Sequence, residues 1–120
     1  KQINDSYGHD YGDVVLKKLA EILRNNCRDI DFPARIGGEE FAIILPECSS
    51  DEGELALERF RSEVESTRFI APDGKLLQIT ISIGIASFKT SYKSEMALMS
   101  DTDKALYKAK SQGKNQIHVF

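Results

Sequence analysis

The sequence predicts an α/β (α+β) sandwich in which helices cover a largely antiparallel sheet. Three stretches with apolar residues at helical spacing, short apolar or alternating runs between them, and turn signals at the junctions predict it. The order reads helix, hairpin, helix, strand, helix, strand, with no repeat and no linker. At 120 residues, 41% hydrophobic and 29% charged, the composition is that of a single domain over residues 1–120. No apolar run reaches the length of a membrane span, so no direct membrane contact is expected. Sixteen basic against nineteen acidic residues give a net charge of −3. That balance excludes a general grip on a nucleic-acid polymer but leaves room for a small phosphorylated ligand held by local cations. Cys27 and Cys48 are too few for a disulfide framework.

The first helix is predicted from Asp10 to Cys27, with Leu16, Leu19, Ala20, Leu23 and Cys27 facing inward and Asp10 as the N-cap. Two apolar runs, Phe32–Ile36 and Phe41–Leu45, flank Gly37 and Gly38; paired glycines at such a junction mark a hairpin, because both can take positive φ. The second run is apolar at both parities and is expected to be covered on both faces. Ser50 or Asp51 opens a second helix that buries Leu55, Leu57, Phe60 and Val64. Pro72-Asp73-Gly74 is a turn. Leu77–Ala86 then alternates strictly and reads as one strand, with Ile79, Ile81, Ile83 and Ile85 on one face. A third helix runs from about Glu95 to Gln112, stopped by Gly113, and Ile117–Phe120 closes the chain as a short strand.

The string Gly37-Gly38-Glu39-Glu40-Phe41 carries the main chemical signal. Glycines at a hairpin tip let a ligand approach the backbone. A carboxylate just beyond the tip can hold Mg²⁺, the ion that phosphoryl transfer from a nucleoside triphosphate needs. Taken alone, the string is better read as a hairpin turn followed by two solvated glutamates. It does not stand alone. Ile3-Asn4-Asp5-Ser6-Tyr7-Gly8-His9-Asp10-Tyr11-Gly12-Asp13, Arg28 to Phe41, the Ile79–Gly84 stretch and Tyr107 to Asn115 occur in one order with compact spacing. Together these four motifs resemble, over essentially the whole chain, the GGDEF domain of bacterial diguanylate cyclases, here spelled GGEEF.

The resemblance implies a ferredoxin-like fold, related to nucleotidyl cyclases and polymerase palms, and condensation of two GTP molecules into cyclic di-GMP plus pyrophosphate by a cytoplasmic homodimer. It implies Glu39 as ligand of Mg²⁺ (or Mn²⁺) and as the group that helps deprotonate the attacking hydroxyl, with Glu40 as a second acidic catalytic position. It implies Asn4 and Asp13 as the pair that reads guanine, Gly38 against the nucleotide, and Lys110 and Lys114 as triphosphate cations. The guanine edge presents N–H donors that a carboxylate accepts side by side, whereas adenine presents the wrong pattern. Arg35, just before the glycines, is suited either to phosphate or to a local acid.

Arg28-Asp29-Ile30-Asp31, separated from Gly37 by five residues, matches the family's RxxD product-inhibition site in spelling and distance. Arg28 can present a planar fork to phosphate or guanine, Asp31 can accept from the guanine edge, and Arg59 aligns with the family's secondary arginine. A local Arg28–Asp31 surface pair is the structural alternative. Lys1 aligns with the lysine that follows the family's first, central strand, whose carboxylates supply a further metal ligand. That strand is therefore expected to be missing from these 120 residues, and the piece alone is expected to be inactive. Two other functions remain open at this stage: a non-catalytic module sensing cyclic di-GMP, and a GTP-binding or dimerisation module of a larger signalling protein.

Overall fold

The computed structural model describes residues 2–120; Lys1 lies outside the described residues. In chain order the elements are α1 (Gln2–Asn25), β1 (Phe32–Gly37), β2 (Glu40–Ile44), α2 (Ser50–Ser66), β3 (Arg68–Ile70), β4 (Leu76–Gln78), β5 (Ile83–Ile85), α3 (Glu95–Ser111) and β6 (Ile117–Val119). They form two units. One holds the residues up to Pro46 together with Glu63–Ile79, the other Glu47–Ser62 together with Thr80–Phe120.

In the first unit, α1 begins earlier than its apolar spacing predicts and is broken at Gly8 (φ 86°, ψ 169°). Glycine reaches that conformation without a Cβ clash, so it ends one helical segment and lets another begin. Asp10 consequently lies inside the second segment and is not its N-cap, which corrects the sequence expectation. The Tyr7 and Tyr11 rings meet edge to face across the break, 5.6 Å between centroids, and the Tyr11 hydroxyl donates to the Ile70 carbonyl at 2.8 Å. The buried stripe of α1 is Val15, Ile22 and Leu23, with Leu16, Leu19, Ala20 and Cys27 half-buried. It is rotated by about one residue from the predicted face.

β1 and β2 pair antiparallel, Phe32 opposite Ile44 and Ala34 opposite Ala42, with a bulge between Arg35 and Gly37. Gly37 (φ 153°) and Gly38 (φ 48°) make the tip, as the paired glycines predict. The expectation that β2 is covered on both faces fails. Phe32 and Ile44, cross-strand partners on one face, are 64% and 67% exposed, while Phe41, Ala42 and Ile43 are half-buried. β3 and β4 pair antiparallel around the Pro72-Asp73-Gly74 turn, where Gly74 takes φ 85° and donates to the Ala71 carbonyl at 2.9 Å.

The alternating stretch 77–86 is two strands rather than one. Leu76–Gln78 pairs with β3, and Ile83–Ile85 pairs with β6 in the parallel sense. A ladder extends only as far as its partner, and β3 is three residues long. Alternation reports which residues share a face, not which strand lies alongside. Hydrogen bonding thus divides the strands into three pairs, two antiparallel and one parallel. Among the described residues no helix is long and apolar enough to cross a membrane.

α2 starts in a capping box. Ser49 Oγ accepts from the Glu52 N–H (3.2 Å), and Glu52 Oε1 accepts from the Ser49 N–H (3.2 Å) and hydroxyl (2.9 Å). Leu57, Phe60 and Val64 are buried as predicted, but Leu55 is exposed because it falls about half a turn from that stripe. In the second unit α3, capped by Ser94, buries Ala105 and Ala109 completely and rests on β5 and β6.

The contact of α3 with β5 admits no side chain at Gly84. A Cβ there would stand 2.3 Å from the Leu106 nitrogen and 2.6 Å from the Thr102 carbonyl oxygen, both backbone atoms. Gly84→Ala is expected to destabilise the protein by about 1–3 kcal/mol, the usual cost of overpacking, as measured by urea unfolding. An unchanged midpoint would show that α3 can shift freely.

Candidate active site

α1 and the β1–β2 hairpin of the first unit enclose a groove of about 380 Å³. Asp13, Leu16, Lys17, Ala20, Leu23 and Arg24 form its helical wall; Pro33, Ala34, Arg35 and Phe41 form the strand wall. Asp13, Lys17, Ala20 and Arg24 recur at intervals of four, three and four, which lines them along one helix face. The floor is apolar, suited to the faces of a base. The rim carries three cations, Lys17, Arg24 and Arg35, and one carboxylate, Asp13. That rim suits a ligand that is anionic at one end and offers N–H donors at the other. Sequence reasoning did not single out Lys17 or Arg24; their spacing from Asp13 was the signal that could have placed them on the groove.

Asn4 does not line the groove but lies against Gly12, the residue before Asp13. Its Oδ1 occupies the position where a Cβ on Gly12 would stand, 1.7 Å away. The break at Gly8 thus folds the first segment of α1 back so that the Asn4 amide lies against the residue preceding Asp13. Gly12, which sequence reasoning did not single out, makes the room for the Asn4 amide.

At the hairpin tip Gly38, Glu39 and Glu40 are exposed. Arg35 Nε donates to the Gly38 carbonyl at 2.9 Å, linking the groove rim to the tip. A Cβ on Gly38 would meet nothing within 4 Å, so the space above the tip is open to a ligand, although φ 48° still disfavours other residues there. Among the described residues no group of three or more His, Cys, Asp or Glu converges to enclose a metal ion. One or two carboxylates at an open tip nevertheless match what Mg²⁺ takes from a protein when phosphate oxygens and water supply the remaining ligands.

Arg28 and Asp31 form a closed pair. The Asp31 side chain is 3% exposed and that of Arg28 46%. Asp31 accepts from Arg28 Nη2 (2.8 Å), Nε (3.1 Å) and backbone N–H (2.7 Å), while Nη2 also donates to the Pro46 carbonyl at 2.7 Å. The guanidinium hydrogen bonds hold the Asp31 carboxyl below its ordinary range, against the opposing effect of desolvation.

In the second unit Lys110 lies in the last turn of α3 and Lys114 just beyond it, both exposed; Arg59 is exposed on α2. A second concavity, about 480 Å³, is lined by Asp51, Glu54, Leu55 and Glu58 of α2. Its three carboxylates would repel a triphosphate, so the basic groove of the first unit is the better candidate.

The family model described as "Diguanylate cyclase, GGDEF domain" matches residues 1–116. Diguanylate cyclase A of Treponema denticola is 41% identical over 117 residues, 98% of this chain and 31% of that protein. Among solved structures, the GGDEF domain of DgcB from Caulobacter crescentus, in complex with c-di-GMP, superposes with a TM-score of 0.92 at 33% identity, covering 98% of this chain and 70% of that one. An active GGEEF domain of a diguanylate cyclase from Vibrio cholerae superposes with a TM-score of 0.89 at 31% identity, covering 99% of this chain and 74% of that one. The chain spans about a third of the length of that curated relative.

The Arg28–Asp31 pair has a pH signature. A carboxyl whose folded pKa is depressed contributes stability that is full above its unfolded value, about 3.9, and is lost as pH falls through the folded value. Asp31→Asn is expected to cost about 1–2 kcal/mol at pH 7, with the gap to the unsubstituted protein closing towards pH 3. Urea titrations at the two pH values measure it. A gap that persists at the lower pH would assign the cost to packing instead of charge.

Proposed function

The chain belongs to the GGDEF family, and from that premise we propose that the protein carrying it is a diguanylate cyclase, joining two GTP molecules into cyclic di-GMP with release of pyrophosphate. The observation that carries the proposal is the groove in which Asp13 and a cationic rim lead, through Arg35, to the GGEEF tip. Guanine fits the Asn4–Asp13 end, its N1–H and N2–H₂ donating to the carboxylate and its remaining edge meeting the amide. The backbone at Gly38 lets the nucleotide lie close. Lys110 and Lys114 neutralise the triphosphate.

Glu39, with Glu40 beside it, would hold Mg²⁺ or Mn²⁺, which when bound offsets phosphate charge and lowers the pKa of a coordinated hydroxyl. Glu39 assists removal of the proton from the 3′-hydroxyl. The 3′-oxygen of each GTP attacks the α-phosphorus of the other; two P–O bonds form, two break, and two pyrophosphates leave. Each chain holds one GTP, so turnover requires a homodimer. Arg28, Asp31 and Arg59 form a product site, and cyclic di-GMP bound there inhibits the enzyme. The ligand named for the DgcB structure supports cyclic di-GMP as a ligand of this fold.

In the full-length protein Glu39→Ala is expected to lower cyclic di-GMP formation by at least about a hundredfold while leaving the circular dichroism spectrum unchanged, since the residue lies on an exposed turn. Unaltered turnover would remove Glu39 from the mechanism. If the unsubstituted protein binds cyclic di-GMP by calorimetry yet forms none from GTP, it is a sensing or dimerisation module instead.

Arg28→Ala is expected to raise the cyclic di-GMP concentration needed for half-inhibition by about tenfold or more, because a charge-assisted contact is lost, with the uninhibited rate retained. Equal inhibition of both proteins would exclude the RxxD pair as the product site.

A further inference from the structure

We infer that Arg61 is a positioning residue for phosphate binding, acting through Asn115 on the turn that carries Lys114; this rests on the reading of Lys110 and Lys114 as triphosphate cations. All the groups concerned lie in the second unit. α3 closes in a Schellman arrangement: the Gly113 N–H donates to the Lys110 carbonyl at 3.5 Å and the Lys114 N–H to the Ala109 carbonyl at 3.0 Å. Gly113 (φ 124°) leads into the turn, but the chain does not then extend. Lys114 (φ 62°) and Asn115 (φ 48°) continue in the left-handed region. For residues with a Cβ that conformation is uncommon, Asn tolerating it better than Lys, so two in succession persist where the surroundings hold them.

They hold it at Asn115. Its N–H donates to Ser82 Oγ at 3.2 Å, and its Oδ1 accepts from Arg61 Nη1 at 2.7 Å. Gln116 Nε2 adds bonds to the Gln112 and Lys114 carbonyls, 3.0 and 3.1 Å. Arg61 is itself fixed. Its Nε donates to both carboxylate oxygens of Glu58, one turn earlier on α2, at 3.1 and 2.9 Å, and its side chain is only 14% exposed. A guanidinium bound on two sides and largely buried is set to brace a neighbour, not to meet a ligand. What it braces is the backbone that presents two exposed lysines. Lysine is a flexible point charge that loses rotamer freedom on binding, so a preset backbone removes part of the cost of ordering it around phosphate.

The test compares Arg61→Ala, Arg61→Lys, Asn115→Ala and Lys114→Ala in the full-length protein, reading kcat, KM for GTP, melting temperature and affinity for guanosine. Arg61→Ala and Asn115→Ala are each expected to raise KM about tenfold with kcat within about twofold, the pattern of lost ground-state binding. Guanosine affinity, which involves no phosphate, stays unchanged. The double variant is no worse than either single one, because both break one contact. Arg61→Lys recovers part of the loss. If Arg61→Ala fails to fold, Asn115→Ala carries the same expectation. A raised KM in Lys114→Ala with none in Asn115→Ala and Arg61→Ala overturns this inference alone. An unchanged KM in Lys114→Ala overturns it together with the cation reading. A lowered melting temperature without a change in KM assigns Arg61 to stability only and likewise overturns it.

Discussion

α3 rests on β5 with its backbone against Gly84, and the arrangement of the second unit follows from that contact. β5 and β6 are parallel, and parallel neighbours need a crossover long enough to return the chain to the same end of the pair. Here the crossover contains α3, seventeen residues with Ala105 and Ala109 buried. Small side chains on the helix and no side chain at Gly84 on the strand let the two backbones approach closely. With the helix axis so constrained, its C-terminal end is constrained too, and Lys110, Gly113, Lys114 and Asn115 must turn into β6 within five residues of the last helical position, Ser111. The left-handed turn is the geometric consequence of that short return.

A different device organises the first unit. Glycine is used there to bring functional groups together: Gly8 breaks α1, Gly12 accepts the Asn4 amide, and Gly37 and Gly38 form the tip. The chain has a net charge of −3, yet the groove rim has three cations to one carboxylate. Net charge governs long-range behaviour, whereas a ligand in a cleft responds to charges within about a Debye length, ~8–10 Å. The acidic surplus is expressed elsewhere, including the Asp51, Glu54 and Glu58 face of α2.

The α+β fold class and most element positions were legible because they depend on local patterns: Ser50 or Asp51 opening α2, Gly113 after α3, the glycine pair between β1 and β2. What was not legible depends on partners. The 77–86 stretch alternates throughout, but its partner changes from β3 to β6, and a period of two carries no information about that. β2 is apolar at both parities, yet Ile44 is open. Leu55 was assigned to the core on hydrophobicity, although its angular position excludes it. For the candidate site, the motif residues were named by their spelling, whereas Lys17 and Arg24, which line the groove, were not named as site residues because a cation on a helix face resembles ordinary solvation. Arg61 was missed because its partner Asn115 is fifty-four positions away in sequence.

If the Arg28–Asp31 pair is the product site proposed above, a stable contact there doubles as a receptor. Asp31 is buried, and one of its bonds comes from the Arg28 backbone N–H, which a ligand cannot displace. Its remaining bonds come from a guanidinium that is nearly half exposed and shared with the Pro46 carbonyl. On the proposed product-site reading, a phosphate approaching Arg28 competes for the guanidinium alone. Asp31 keeps its backbone donor, so the buried carboxylate is never left wholly unpartnered and the exchange avoids the penalty for an uncompensated buried charge. The guanidinium loses one anionic partner and gains another, which makes the exchange nearly neutral in charge pairing. Affinity for the product then comes from what the rest of the ligand contacts, and the pair itself supplies register and selectivity for a phosphate beside a hydrogen-bonding base edge.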